Sequence, residues 1–139
     1  MKSERLVVMA KAVLVLVAVL AVGCSDSGAK RQKSPEEAVK VRAQAWADDL
    51  LKGDLQGAWA YTSPHFRQFS SSKDYSRFVL GSGRWNSAVV DSVQCADEVC
   101  DVRIVIEYEI KQIKSTNRRP LDYKWVLVDG EWWLHVPAK

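Results

Sequence analysis

Residues 125–136 read WVLVDGEWWLHV. Asp129-Gly130 is a strong hairpin signal, because the favoured two-residue turn needs positive φ at both central residues. Folding the flanks about that turn sets Leu127 opposite Trp132, Trp125 opposite Leu134 and Tyr123 opposite Val136. All six are apolar or aromatic, and a slip of one residue would move one strand's set to the other face. The opposite face carries Val126 with Trp133 and Lys124 with His135.

Upstream the same period of two continues. Val102, Ile104, Ile106, Tyr108 and Ile110 alternate with Arg103, Val105, Glu107, Glu109 and Lys111, the pattern of a strand buried on one face. Trp85–Gln94 is expected to pair with it antiparallel, through a hairpin closed by Cys95 and Cys100. A two-against-two register there places Val93 opposite Val102. Asp91 then points inward opposite Ile104, as a bulge or as a buried carboxylate. Ser115–Pro120 (STNRRP) reads as the loop connecting the two hairpins.

Before Arg84 the period is helical. Ser34-Pro35-Glu36-Glu37 offers an N-cap serine, proline at the first helical position and glutamate at the third, a capping box. Val39, Ala43, Trp46, Ala47 and Leu50 mark the buried stripe of a helix running to about Lys52, with Gly53 beyond its end. Asp54 caps a short second helix carrying Leu55, Ala58 and Trp59. Ser63-Pro64 starts a single turn through Phe69, and Tyr75, Phe78 and Val79 mark a third helix ending at Gly81. The expected class is therefore α+β: three N-terminal helices packed on one face of a curved antiparallel sheet of about four strands.

The N-terminus speaks to location. Lys2, Arg5 and Lys11 precede Ala12–Gly23 (AVLVLVAVLAVG), an apolar run of twelve. That length suits a signal-peptide core, whereas a spanning helix needs about 20 residues. Leu20-Ala21-Val22-Gly23-Cys24 resembles the lipobox of bacterial lipoproteins. The resemblance implies cleavage after residue 23, acylation of Cys24 (palmitate among its chains) and anchoring in the bilayer. Two or more acyl chains hold a protein stably at about 0.8 kcal/mol per buried CH₂. Ser25 follows the cysteine, so the resemblance points to the outer membrane, facing the periplasm. Residues 24–34 then form the lipidated cysteine and a polar tether, and residues 35–139 form the domain. Lipidation also accounts for the odd cysteine among three, leaving Cys95 and Cys100 to form a disulfide in an oxidising compartment.

Lys52-Gly53-Asp54, Ala58-Trp59, Ser63-Pro64 and Asp129-Gly130-Glu131-Trp132-Trp133, with the long first helix, resemble the skeleton of small exported lipoproteins with a nuclear-transport-factor-2-like (NTF2-like), or cystatin-like, domain. The resemblance covers about Pro35–Val136 and implies a helix lying in a cone-shaped sheet. Enzymes of this fold, such as ketosteroid-isomerase-like proteins, use a carboxylate base with a tyrosine or acid donor in the cone. The nearest imitation is Asp91 with Tyr108 or Tyr61 as cavity residues, and no catalytic role is transferred to them.

The composition narrows the classes further. With 139 residues, 47% apolar and 27% charged, the chain is one domain's length and is neither disordered nor multi-spanning. Two of the three net positive charges fall in the signal segment, leaving +1, which argues against a nucleic-acid binder. His65 and His135 show no metal-ligand spacing, so neither a metal nor another cofactor is expected. The leading reading is a non-catalytic binding or interaction module. Its partner is a second copy or another envelope protein on a sheet face around Val126 and Trp133, or an apolar ligand in the cone. The alternative is a cavity enzyme or small-ligand carrier of the ketosteroid-isomerase-like type.

The anchor is directly testable. Cys24→Ser is expected to abolish incorporation of labelled palmitate and to remove the protein from the outer-membrane fraction. Equal labelling of the variant and the wild type would eliminate the lipid anchor.

Overall fold

The computed structural model describes residues 33–137; the signal segment and Cys24 lie outside them. Ser34 caps α1 (Pro35–Leu51), its hydroxyl accepting the Glu37 N–H at 3.2 Å. Gly53, at φ 76°, takes the left-handed position that ends it. Asp54 caps α2 (Leu55–Trp59), its carboxylate accepting from the Gly57 N–H. The stretch expected to be a single turn is a complete helix, α3 (Pro64–Phe69), capped by Ser63. The helix expected after it is α4 (Ser72–Phe78), where Ser71 and Asp74 form a two-way capping box. The helical layer thus has four members rather than three. The extra one arises because Ser63 and Pro64 start a helix as well as they break the preceding one.

A 3₁₀ turn (Ser82–Arg84) leads into β1 (Trp85–Ala96), β2 (Val99–Ile110), β3 (Ser115–Val128) and β4 (Glu131–Leu134). These form one antiparallel sheet in the order β1-β2-β3-β4. The last hairpin has the expected register, with Leu127 opposite Trp132 and Trp125 opposite Leu134. Asp129 (φ 52°) and Gly130 (φ 78°) both adopt the positive φ that its turn demands. β4 stops at Leu134, so Val136 lies past the strand, although the His135 N–H still donates to the Lys124 carbonyl at 2.8 Å.

Two expectations about the sheet need correcting or resolving. Ser115–Pro120 is not a loop but the first half of β3, paired along its length with β2; the connecting turn is residues 111–114. Pro120 is tolerated because β4 reaches only residues 125–128, leaving this half of β3 on an open edge. Asp91 is the extra residue of a bulge between Val90 and Ser92 and is exposed, so the buried-carboxylate alternative drops out. Val93 faces Val102 as expected, and Cys95 faces Cys100 directly, joined by a disulfide.

The core lies between α1 and the concave sheet face. Val39, Ala43, Trp46, Ala47 and Leu50 meet Ala88, Val90, Val102, Ile104, Ile106, Trp125 and Leu134, all buried. At its centre the Trp46 indole N–H donates to the Tyr75 hydroxyl at 2.6 Å, joining α1 to α4. Trp46 also packs edge-on against Tyr123 of β3, with ring centroids 4.7 Å apart, and Phe78 meets Tyr123 from the α4 side.

Burial raises the hydroxyl of Tyr75 above the usual tyrosine range, outweighing the Trp46 hydrogen bond, and pushes Tyr123 up to about 12. A tyrosine whose folded pKa exceeds its unfolded value contributes stability that is whole below the unfolded value of 10.0. That contribution disappears as the pH climbs from there through the folded values. Tyr75→Phe is expected to cost about 1–3 kcal/mol near neutral pH, since it leaves a buried indole donor unpaired. It is also expected to flatten the alkaline loss of stability. Urea unfolding across neutral and alkaline pH checks both; a variant as stable as wild type would mean the bond contributes nothing.

Candidate functional site

The sheet presents two chemically different surfaces. On its convex face, cross-strand neighbours neutralise one another: Arg103 meets Asp122 at 2.8 Å, Arg118 meets Glu107 at 3.1 Å and Lys124 meets Asp101 at 2.5 Å. The first of these pairs holds the Asp122 carboxyl below, and the Arg103 guanidinium above, its ordinary value. Between them run apolar rows, Val89–Val105–Pro120 and Ala96–Val99–Val126–Trp133. Val126 and Trp133, the residues expected to form a partner face, are thus neighbours, and both are half-buried.

Two arginines of the helical layer reach the half-buried Trp133 ring. The Arg42 guanidinium of α1 and the Arg67 guanidinium of α3 lie 5.2 and 4.8 Å from its ring centroid. Arg42 also lies 5.4 Å from the Tyr61 ring and pairs with Glu131 at 2.9 Å, while Arg67 lies 5.9 Å from the Trp59 ring and donates to the Ala60 carbonyl. These contacts make a ladder of alternating rings and cations that ties α1, α2 and α3 to the edge strand β4. The same edge is closed by backbone: the Leu134 N–H donates to the Tyr61 carbonyl at 2.8 Å, and the Ser63 N–H donates to the Leu134 carbonyl.

The concave face opens at the end of the sheet away from the disulfide. A pocket of about 730 Å³ lies between the α4–β1 connection and the far ends of β2 and β3. Phe78 and Tyr123 belong both to its lining and to the packing around Trp46, so the aromatic core is its floor. Trp85 and Tyr108, paired across β1 and β2, line its wall with Ile106 and Leu121. Arg84, Lys111 and Arg119 bring cations to the rim, with Glu109 the carboxylate among them. Arg119 sits opposite Ile106 on the inward-facing register of β3, where the pattern otherwise calls for an apolar side chain.

The three cavity residues expected from sequence are not brought together. Tyr108 lines the pocket. Asp91 is exposed at the β1 bulge, and Tyr61 lies in the α2–α3 connection, its ring 6.4 Å from that of Trp125. Neither borders the pocket, so the carboxylate–tyrosine pair that would imitate an isomerase site is not assembled.

A second pocket, of about 720 Å³, was invisible in the sequence. His65 and His135, the chain's only histidines, line it together with Phe66, Phe69, Asp74 and Arg77. They meet because Thr62 bridges Leu134, which brings the start of α3 beside the end of β4. Hydrogen bonds from the Ser71 hydroxyl and N–H hold the Asp74 carboxyl below its ordinary value, and they turn it toward the helix cap. Among the described residues no cluster of three metal-ligating side chains occurs. No helix among them is long and apolar enough to cross a membrane.

The chain is similar in structure to a Campylobacter jejuni protein classed as an NTF2-like transpeptidase. The two are 12% identical with a TM-score of 0.53, over 71% of this chain and 98% of that one. A SEC-C motif containing protein of Rhodopseudomonas palustris matches at 12% identity and TM-score 0.44, over 72% of this chain and 73% of that one. The first likeness supports an NTF2-like fold for the four helices and single open antiparallel sheet described above. No protein-family model matches the chain, and no curated protein does.

The arginine ladder makes Trp133 a fold residue as well as a surface one. Trp133→Ala is expected to lower unfolding free energy by about 1–3 kcal/mol, from lost burial and two lost cation–ring contacts. A residue serving only a partner would leave the urea midpoint unchanged.

Proposed function

We propose that the protein is a lipid-anchored, periplasm-facing binding module whose ligand sits in the open end of the cone. The pocket walled by Trp85, Tyr108 and Tyr123 carries this reading: it is an aromatic-lined concavity at the ends of three strands. Sites for small molecules are concave and set convergent polar groups beside apolar or aromatic walls, and this pocket joins aromatic walls to a strongly polar rim. The lipobox-like sequence around Cys24 supports anchoring, and the disulfide is in keeping with an oxidising compartment.

Within this reading the cone takes precedence over the sheet face. Arg42 and Arg67 already lie against the Trp133 ring, whereas nothing of the described chain occupies the cone mouth. The aromatic floor limits the ligand to the outer part of the cone, so a compact molecule fits better than a long chain threaded to the core.

Leu121→Trp tests the location by filling the pocket from its wall. In a thermal-shift screen against small aromatic and aliphatic compounds, wild type is expected to gain stability with bound ligand, by roughly 2.7 kcal/mol at a hundredfold excess over Kd. The Leu121→Trp protein, folded by circular dichroism, is expected to show no shift with the same compounds. A ligand that stabilises both proteins equally would place binding elsewhere.

A further inference from the structure

We propose that the ligand of the cone mouth is an organic anion, its acidic head held by Arg84 and Arg119 and its apolar or aromatic body laid against Trp85, Tyr108 and Tyr123. This rests on the mouth being the binding site.

On the convex face, Arg103, Arg118 and Lys124 are each matched by a carboxylate on the next strand. Around the helices Arg42 and Lys52 are paired, while Lys40, Arg67, Lys73 and Arg77 make no salt bridge among the described residues and do not border the mouth. At the mouth, Arg84, Lys111 and Arg119 converge from the β1 approach, the β2–β3 turn and β3, and none makes a salt bridge among the described residues. Glu109 offsets one of these charges, so the rim keeps a surplus of positive charge on a chain whose overall balance is nearly neutral. Cations gathered at a concave, low-dielectric site raise the local concentration of anions.

Register sharpens the point. Arg119 shares a face with Leu121, Tyr123 and Trp125, and it opposes the buried Ile106. An inward charge near an open strand edge can serve to discourage edge pairing. That role does not require cations from two other segments to converge on the same opening, and here they do. Arginine suits the task because its planar fork binds a carboxylate or phosphate through two parallel hydrogen bonds and stacks on aromatic faces. Trp85, Tyr108 and Tyr123 provide those faces beside it, and Ile106 and Leu121 receive apolar atoms. The combination selects a molecule with one acidic group and a flat or apolar body.

The test uses a matched pair of probes, 2-naphthoate and 2-naphthamide, which share a shape and differ in charge, titrated calorimetrically into the purified protein. Naphthoate is expected to bind about tenfold more tightly than naphthamide at low salt, with the preference shrinking as salt is raised. Arg84→Gln with Arg119→Gln is expected to erase the preference, leaving the two probes equal in affinity. Lys124→Gln, on the convex face, is expected to alter neither. Equal affinity for both probes, insensitive to the arginine pair, would overturn the anion assignment and leave the mouth standing as a site. Binding of neither probe, or binding that survives Leu121→Trp, would overturn the anion assignment together with the mouth itself.

Discussion

A single buried hydrogen bond, from the Trp46 indole to the Tyr75 hydroxyl, fixes how far the space between the helices and the sheet is filled. Both side chains are fully buried, so each polar atom would cost free energy if the other were missing. The bond fixes α4 against α1, and Tyr123 and Phe78 complete the wedge by edge-on packing. Aromatic rings in such arrangements contribute beyond their buried area. The consequence is architectural: the inner cone is filled with side chains, and what remains open is a mouth whose floor is the wedge itself. A small domain gains a core from this arrangement, and the concavity keeps a rigid base.

Around that wedge the sheet is finished with polar economy. β1 is an edge strand, and Gln44 of α1 covers part of its edge by accepting the Val90 N–H at 2.9 Å and donating to the Ala88 carbonyl at 3.0 Å. One amide side chain thus stands in for a neighbouring strand. At the other edge, residues 61–63 do the same for Leu134 through their backbone. Exposed edges invite pairing with other chains, and both ends of this sheet are guarded at the points where the helical layer reaches them. The convex face is screened by its own cross-strand ion pairs, each exposed and worth little individually. Their effect is chemical more than energetic: that face is left nearly neutral, whereas the mouth gathers Arg84, Lys111 and Arg119 with Glu109 as the one carboxylate in its lining.

Much of the fold was legible in the chain, for local reasons. Asp129-Gly130 can form the turn it forms because both residues tolerate positive φ, and the register of the last hairpin follows from it. Ser34 with Pro35 and Lys52 with Gly53 bound α1 as their chemistry requires. Other features needed tertiary information. Ser115–Pro120 has a loop's composition yet forms strand, because its polar residues face solvent or the cone rim and its proline sits on an unpartnered edge. Asp91 escapes burial by a bulge, which a strict period of two cannot anticipate. The Trp133 ladder joins residues from three helices to β4, and no spacing rule connects Arg42, Arg67 and Trp133. The candidate site was legible only at Tyr108. Its cations lie where the helical period ends (Arg84), at a strand end (Lys111) and in a stretch that reads as a loop (Arg119), and only the assembled sheet brings them to one opening.

The most direct test of the central bond is hydrogen exchange at the Trp46 indole nitrogen, followed by NMR. If the donor is buried and satisfied as described, its proton exchanges only on global unfolding, as slowly as the most protected amides of β2. Rapid exchange of that proton while the β2 amides stay protected would contradict the account, since the floor of the cone would then be open to water.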